Sequence, residues 1–170
     1  MANTYLNRTS IGTPTNRKKF TGSAWVKRAR ASGTEAIIWT GSDSNNWTMF
    51  KFTNSNLLAQ FRNSSSDVVF LQTNRVFRDT SSWYHIVCAV DTTQATASDR
   101  VKLYVNGVQE TSFSTATYPS QNLDLDTTTE QKVGLQHTTQ YFDGSMSHVH
   151  FTDGTAYDAS AFGETDATTG

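Results

Sequence analysis

Followed as apolar and polar positions, the chain is a succession of short alternating runs without a sustained helical period. The clearest stretch is Trp83 to Gly107 (WYHIVCAVDTTQATASDRVKLYVNG). Trp83 to Val90 is nearly all apolar, β-branched or aromatic. It is too short for a helix and long enough for a strand buried on both faces. Asp91 to Asp99 has loop composition. Val101, Leu103 and Val105 then alternate with Lys102 and Tyr104, which predicts a strand with one dry face. Asn106-Gly107 suits the positive φ angles of a type I′ turn, so Val108 to Phe113 is expected to return antiparallel.

The same pattern runs on either side. Thr4 to Leu6 predicts a short first strand, and Ile11 to Asn16 a loop. In Phe20 to Arg28, Phe20, Gly22, Ala24 and Val26 point one way, while Thr21, Ser23, Trp25 and Lys27 point the other. Trp25 thus stands on the polar face, where packing across neighbouring strands is the commoner role for tryptophan. Glu35 to Thr40, the alternating Thr48, Phe50 and Phe52, Leu57 to Arg62 and Val68 to Gln72 follow as strands between polar turns. Gln131 to Gln136 and Tyr141 to Phe151 are the last. Met146, Val149 and Phe151 break strict alternation and predict a β-bulge near Ser147-His148. One helical turn is expected, Ala159 to Phe162, with Asp158 as its N-cap. Strands at about ten-residue spacing predict an all-β, antiparallel two-sheet sandwich. With no repeat and no linker, residues 1–170 read as a single domain.

Composition adjusts this picture little. Aromatic residues make up 12% of the chain, which argues against disorder. A net charge of −1 gives no argument for nucleic acid. The charge is uneven: Arg8, Arg17, Lys18, Lys19, Lys27, Arg28 and Arg30 precede the first acid. That favours contact between copies or an acidic partner, set against the plainer reading of a solvated surface. Cys88, the only cysteine, sits in an apolar run and reads as a small hydrophobe. No run has signal-peptide or membrane-spanning character. The expectation is synthesis in a cytoplasm without membrane insertion, and Asn7, Asn46 and Asn63 then match the glycosylation pattern by chance.

The segments FTGSAWVKR, WYHIVCAVD, RVKLYVNGVQ and YFDGSMSHVHFTDG, in this order and spacing, resemble the laminin-G-like branch of the concanavalin A-like lectin/glucanase jelly rolls. The resemblance spans roughly Lys19 to Phe162 and implies a jelly-roll sandwich. The opening MANTYL with NRKKFTGSAWVKR, the segment DTTQATASDRVKLYVNG and the ending DGTAYDASAFGETDATTG are further similar to virion proteins of marine tailed, cyanophage-like phages. This likeness implies a virion surface or tail-associated module without catalysis, with other virion proteins or copies of itself as partners. Those relatives continue past the point matching Gly170, so a short member or a fragment is expected.

Glucanase chemistry needs two carboxylates flanking the scissile bond. The fold's usual Glu-x-Asp-x-x-Glu run is approximated only by Asp124 to Glu130 (DLDTTTE), which lacks the first Glu and is one residue too long. A non-enzyme is expected. His148 and His150 would share a face of a regular strand and bind zinc, nickel or copper with a third ligand such as His137 or Asp143. No cofactor is required; calcium, which laminin-G-like and pentraxin-like relatives hold in loops, would draw on Asp43, Asp91, Asp99 and Asp143. Host-surface polysaccharide needs exposed aromatics beside amides. Asn45, Asn46 and Trp47 form one candidate cluster, Tyr141 and His137 a second. Trp47 as half-buried strand opener remains an equal alternative, and Trp39, Trp83 and Phe142 are expected in the core. Host-glycan adhesion and a purely structural decoration role are the two functions left open.

Overall fold

The computed structural model describes residues 4–9 and 12–164. In chain order its strands are β1 (Leu6–Thr9), β2 (Lys19–Arg28), β3 (Thr34–Gly41), β4 (Trp47–Thr53), β5 (Asn56–Asn63), β6 (Ser66–Val76) and β7 (Tyr84–Asp91). They continue with β8 (Val101–Val105), β9 (Val108–Gln109), β10 (Phe113–Thr117), β11 (Glu130–Val133), β12 (Leu135–Gln136), β13 (Thr139–Tyr141) and β14 (Gly144–Asp153). Seven strands form one sheet in the order β1-β11-β3-β4-β5-β6-β10, and five form the other, β14-β2-β7-β8-β9. All pairings are antiparallel, and β12 and β13 make a separate ribbon.

The inner faces follow from period two. Phe20, Ala24 and Val26 of β2, with Ile86, Cys88 and Val90 of β7 and Val101, Leu103 and Val105 of β8, line the five-stranded sheet. They meet Phe50 and Phe52 of β4, Leu57, Ala59 and Phe61 of β5, and Val69 and Leu71 of β6. Gly22 faces Phe50 so closely that a Cβ there would lie 2.2 Å from the ring, so only glycine fits. The Cys88 thiol is fully buried, and desolvation pushes its pKa up to about 12, so it acts as a hydrophobe. At one end of the core Arg28 and Glu35, both buried, pair at 2.8 Å. Burial pushes the Glu35 carboxyl up while Arg28 and Arg30 draw it back down. Arg28 also donates to the carbonyls of Phe77 and Asn54 and lies over the Phe52 ring.

Several expectations need correction. The first strand starts at Leu6 rather than Thr4. The return after Asn106-Gly107 pairs only through Gln109, and Phe113 already belongs to the other sheet. The turn itself has φ of 51° and 82°, as the dipeptide demands. Gln131 to Gln136 is broken at Gly134, where φ of 81° folds the chain into the β12–β13 ribbon. The bulge lies where predicted: register shifts between Ser147 and His150, with His148 at φ 48°. Ala159–Phe162 is a single 3-10 turn whose first free N–H, at Ser160, donates to Asp158 Oδ1 over 2.9 Å. Residues 165–170, which carry the expectation of a short or fragmentary end, lie outside the described residues.

Candidate functional site

Strand parity places the four tryptophans on the two outer faces. On β3 and β4, Trp39 lies opposite Met49 and Trp47 opposite Gly41. With Ala36 these side chains form a second, small core outside the seven-stranded sheet. The ribbon closes over it. His137, in the ribbon's turn at φ 45°, sets its ring edge-on to Trp39 at 6.1 Å. Lys132 of β11 lies over the Trp39 ring at 5.1 Å and donates to the His137 carbonyl over 2.8 Å.

The first predicted glycan cluster falls on the rim of this covered face. Trp47 is only 5% exposed, and its indole N–H donates to the Ser44 carbonyl. It is therefore packing rather than a stacking platform. Asn45 and Asn46 donate backbone N–H groups to Asp43, and Asn46 Oδ1 accepts from Ser64. These amides brace the loop 42–46. The backbone N–H of Asn45 is the main reason that the Asp43 carboxyl lies below its ordinary range, and His137 nearby adds to it. His137 thus joins the first cluster, whereas Tyr141 stands apart, tilted against Tyr5 at 6.2 Å.

The four aspartates named for calcium are dispersed. Asp43 caps its own loop, and Asp143 lies 3.6 Å from Arg30. Asp91 and Asp99 do share a cleft with Asp158, where they pair with Lys19 and Lys102. Burial pushes Asp91 up, but bonds from Thr93, Gln94 and Lys19 outweigh it and hold its pKa at about 2. Among the described residues no group of three His, Cys, Asp or Glu side chains is placed to hold a metal. His148 and His150 are separated by the bulge, and His137 lies on the other sheet. The glucanase-like run is equally committed: Asp124 pairs with Lys18, Glu130 with Lys132, and Asp126 accepts from Ser42 and Thr128.

The open aromatic site lies on the five-stranded sheet. Ser147 of β14, Trp25 of β2 and His85 of β7 lie in one cross-strand row. Trp83, two residues before His85, takes the same outward parity and is 40% exposed, not core as expected. The loop before it is braced by Asp79, which accepts from Ser81 and Ser82; the Ser81 hydroxyl is the main reason its pKa falls to about 2. Across the row the bulge turns His148 outward, with its Nδ1 held 2.6 Å from Ser147 Oγ. Trp25, Trp83, Ser147 and His148 line an open, largely apolar cleft of about 350 Å³. Beneath Trp25, the His85 ring stacks at 5.0 Å and 15°. Sequence reasoning had two of the signals, Trp25 on a polar face and the bulge. It missed Trp83 because the run Trp83 to Val90 looked buried on both sides.

Comparison with known proteins places this architecture. Residues 2–159 match the family model described as the concanavalin A-like lectin/glucanases superfamily, laminin G type. No curated protein matches in sequence. Among solved structures, the Ruminococcus gnavus IT-sialidase CBM40 superposes with a TM-score of 0.61 at 13% identity, covering 92% of this chain and 96% of that one. Domain 4 of a Geobacillus stearothermophilus extracellular arabinanase, solved with arabinotriose, gives 0.59 at 17%, with 90% and 84% covered. Mouse laminin alpha1 domains LG4-5 give 0.60 at 10%, with 89% and 39% covered. Two antiparallel sheets in this order, and a family match across nearly the whole chain, lead to one assignment: the chain belongs to the concanavalin A-like lectin/glucanases superfamily.

Proposed function

We propose that this domain is a non-enzymatic module of a phage virion, on tail, fibre or capsid surface, that adheres to host-surface glycan through the Trp25–Trp83 cleft. The observation that carries the reading is the cleft itself: two outward indoles beside a bulge-presented imidazole, on a rigid sheet. An indole face stacks on the apolar C–H face of a pyranose, and a few fixed polar groups orient it. His148 Nδ1 is tied to Ser147, which leaves Nε2 for a sugar hydroxyl. Among the described residues no carboxylate or lysine lines the cleft, and the ligand class is a neutral sugar ring rather than a cationic group. That one relative was solved with arabinotriose is consistent with the class. The virion setting rests on the likeness of the opening, middle and closing segments to phage proteins. No cofactor is needed for stacking, and the commitments of Asp124, Asp126 and Glu130 support a non-enzyme.

A single shallow cleft binds weakly, so adhesion relies on many copies and on neighbouring virion proteins to array them. The test is binding of a multivalent particle display to host cells and a bacterial glycan panel, with calcium and in chelator. Wild type binds and Trp83→Ala does not. Binding that survives Trp83→Ala moves the site elsewhere, and binding that vanishes in chelator brings Asp91 and Asp99 into it. Wild type that ignores every surface leaves the structural decoration role.

A further inference from the structure

The Trp25 wall of the cleft is backed by an ionisable ring. His85 is 5% exposed, stacks flat on Trp25, and keeps its Nε2 2.9 Å from Ser23 Oγ. Its backbone N–H donates to Asn106 Oδ1. Phe162, in the 3-10 turn of a strap that runs along this sheet, meets the imidazole edge-on. The strap is pinned where Thr21 Oγ1 donates to the Thr155 carbonyl and accepts from the Tyr157 N–H. Phe162 lies 6.4 Å from the His85 ring, 5.7 Å from His150 and 6.3 Å from Tyr157. Trp25, His85, Phe162 and His150 therefore form one continuous set of ring contacts from ligand cleft to strap.

We infer that His85 is the positioning residue of the cleft: its neutral ring, stacked on Trp25 and touched edge-on by Phe162, holds the Trp25 wall in place and releases it on protonation. This rests on the cleft being the glycan site only for its consequence, not for its mechanism. The groups facing His85 can be named by element. β2 presents Ser23 and Trp25, with Lys27 one step further along. The β8–β9 turn presents Asn106, with Tyr104 a step away on β8. The strap presents Phe162, and β14 presents His150. A proton on His85 thus enters a site without a carboxylate partner among these groups and with a second imidazole beside it. Desolvation first, and His150 second, hold the His85 pKa below its ordinary value. As pH falls through and below that value, the charged form is driven toward water, away from the indole and the phenyl ring that flank it.

The experiment uses the free protein. Indole N–H and imidazole resonances are followed by NMR from about pH 8 to about pH 5, the span where an unperturbed imidazole changes charge. Trp25 is assigned with Trp25→Phe. The Trp25 indole and the Phe162 ring should shift with one midpoint, equal to that of His85 and below 6.5. In His85→Gln, a neutral planar side chain, both shifts should vanish while the spectrum stays folded; Phe162→Leu should raise the His85 midpoint. A Trp25 resonance that ignores pH, or one that still titrates in His85→Gln, overturns the inference. A display that binds no host cell at any pH removes the glycan reading and leaves this titration standing. Adhesion that is equal across the titration keeps the glycan reading and overturns the release of the Trp25 wall.

Discussion

The two tryptophan pairs of this chain differ in what covers them. Trp39 and Trp47 stand on the outer face of the seven-stranded sheet, at 1% and 5% exposure, beneath a ribbon, a lysine and a braced loop. Trp25 and Trp83 stand on the outer face of the five-stranded sheet, where Trp83 is 40% exposed and a bulge opens the surface. Trp25, Trp39 and Trp47 follow strand parity, and Trp83 lies one residue before β7. An outward indole becomes core where a later segment folds over it, and lines an open cleft where none of the described segments does.

The largest effect that separates the faces is Trp39→Ala, expected to cost about 3–5 kcal/mol by denaturant unfolding, because it removes a filled indole from a closed core. A cost near zero would mean that the ribbon covers the face without packing on it. Trp47→Ala should follow with a loss of stability rather than a selective loss of adhesion. Adhesion lost at wild-type stability would return the site to the loop around Asn45 and Asn46.

A smaller effect distinguishes the open face by pH. His85 has a lowered pKa when folded, so its neutral form is fully favoured above the unfolded value of 6.5. As pH falls through that value toward the folded one, the unfolded chain binds the proton more readily and stability declines. Urea midpoints measured down this range should fall in wild type and fall less in His85→Gln. Equal slopes would detach His85 from the strap. The smallest effect on stability is Trp83→Ala, expected within about 0.5 kcal/mol of wild type, as for an exposed side chain outside the core. A loss of several times that amount would show Trp83 to be packed, and the cleft to be part of the core.

Much of this was legible along the chain because β-structure is read with period two. The inward set Phe20, Gly22, Ala24 and Val26, the Asn106-Gly107 turn, the bulge at Ser147-His148 and the Asp158-capped turn all follow from local sterics and hydrogen bonding. Of the two readings open for Trp47 the packed strand opener holds, and the expected burial of Trp83 is reversed, for one physical reason. Parity says which face a side chain takes, but burial on that face depends on segments distant in sequence. For Trp39 that cover is His137 and Lys132, about a hundred residues on. Trp83 is left 40% exposed by the described residues. Strands, turns and the division into faces are settled within a few residues and can be read along the chain. Which outer face is roofed by the ribbon, and which carries the cleft, depends on where Gly134 and the strap send the chain, and is fixed by folding alone.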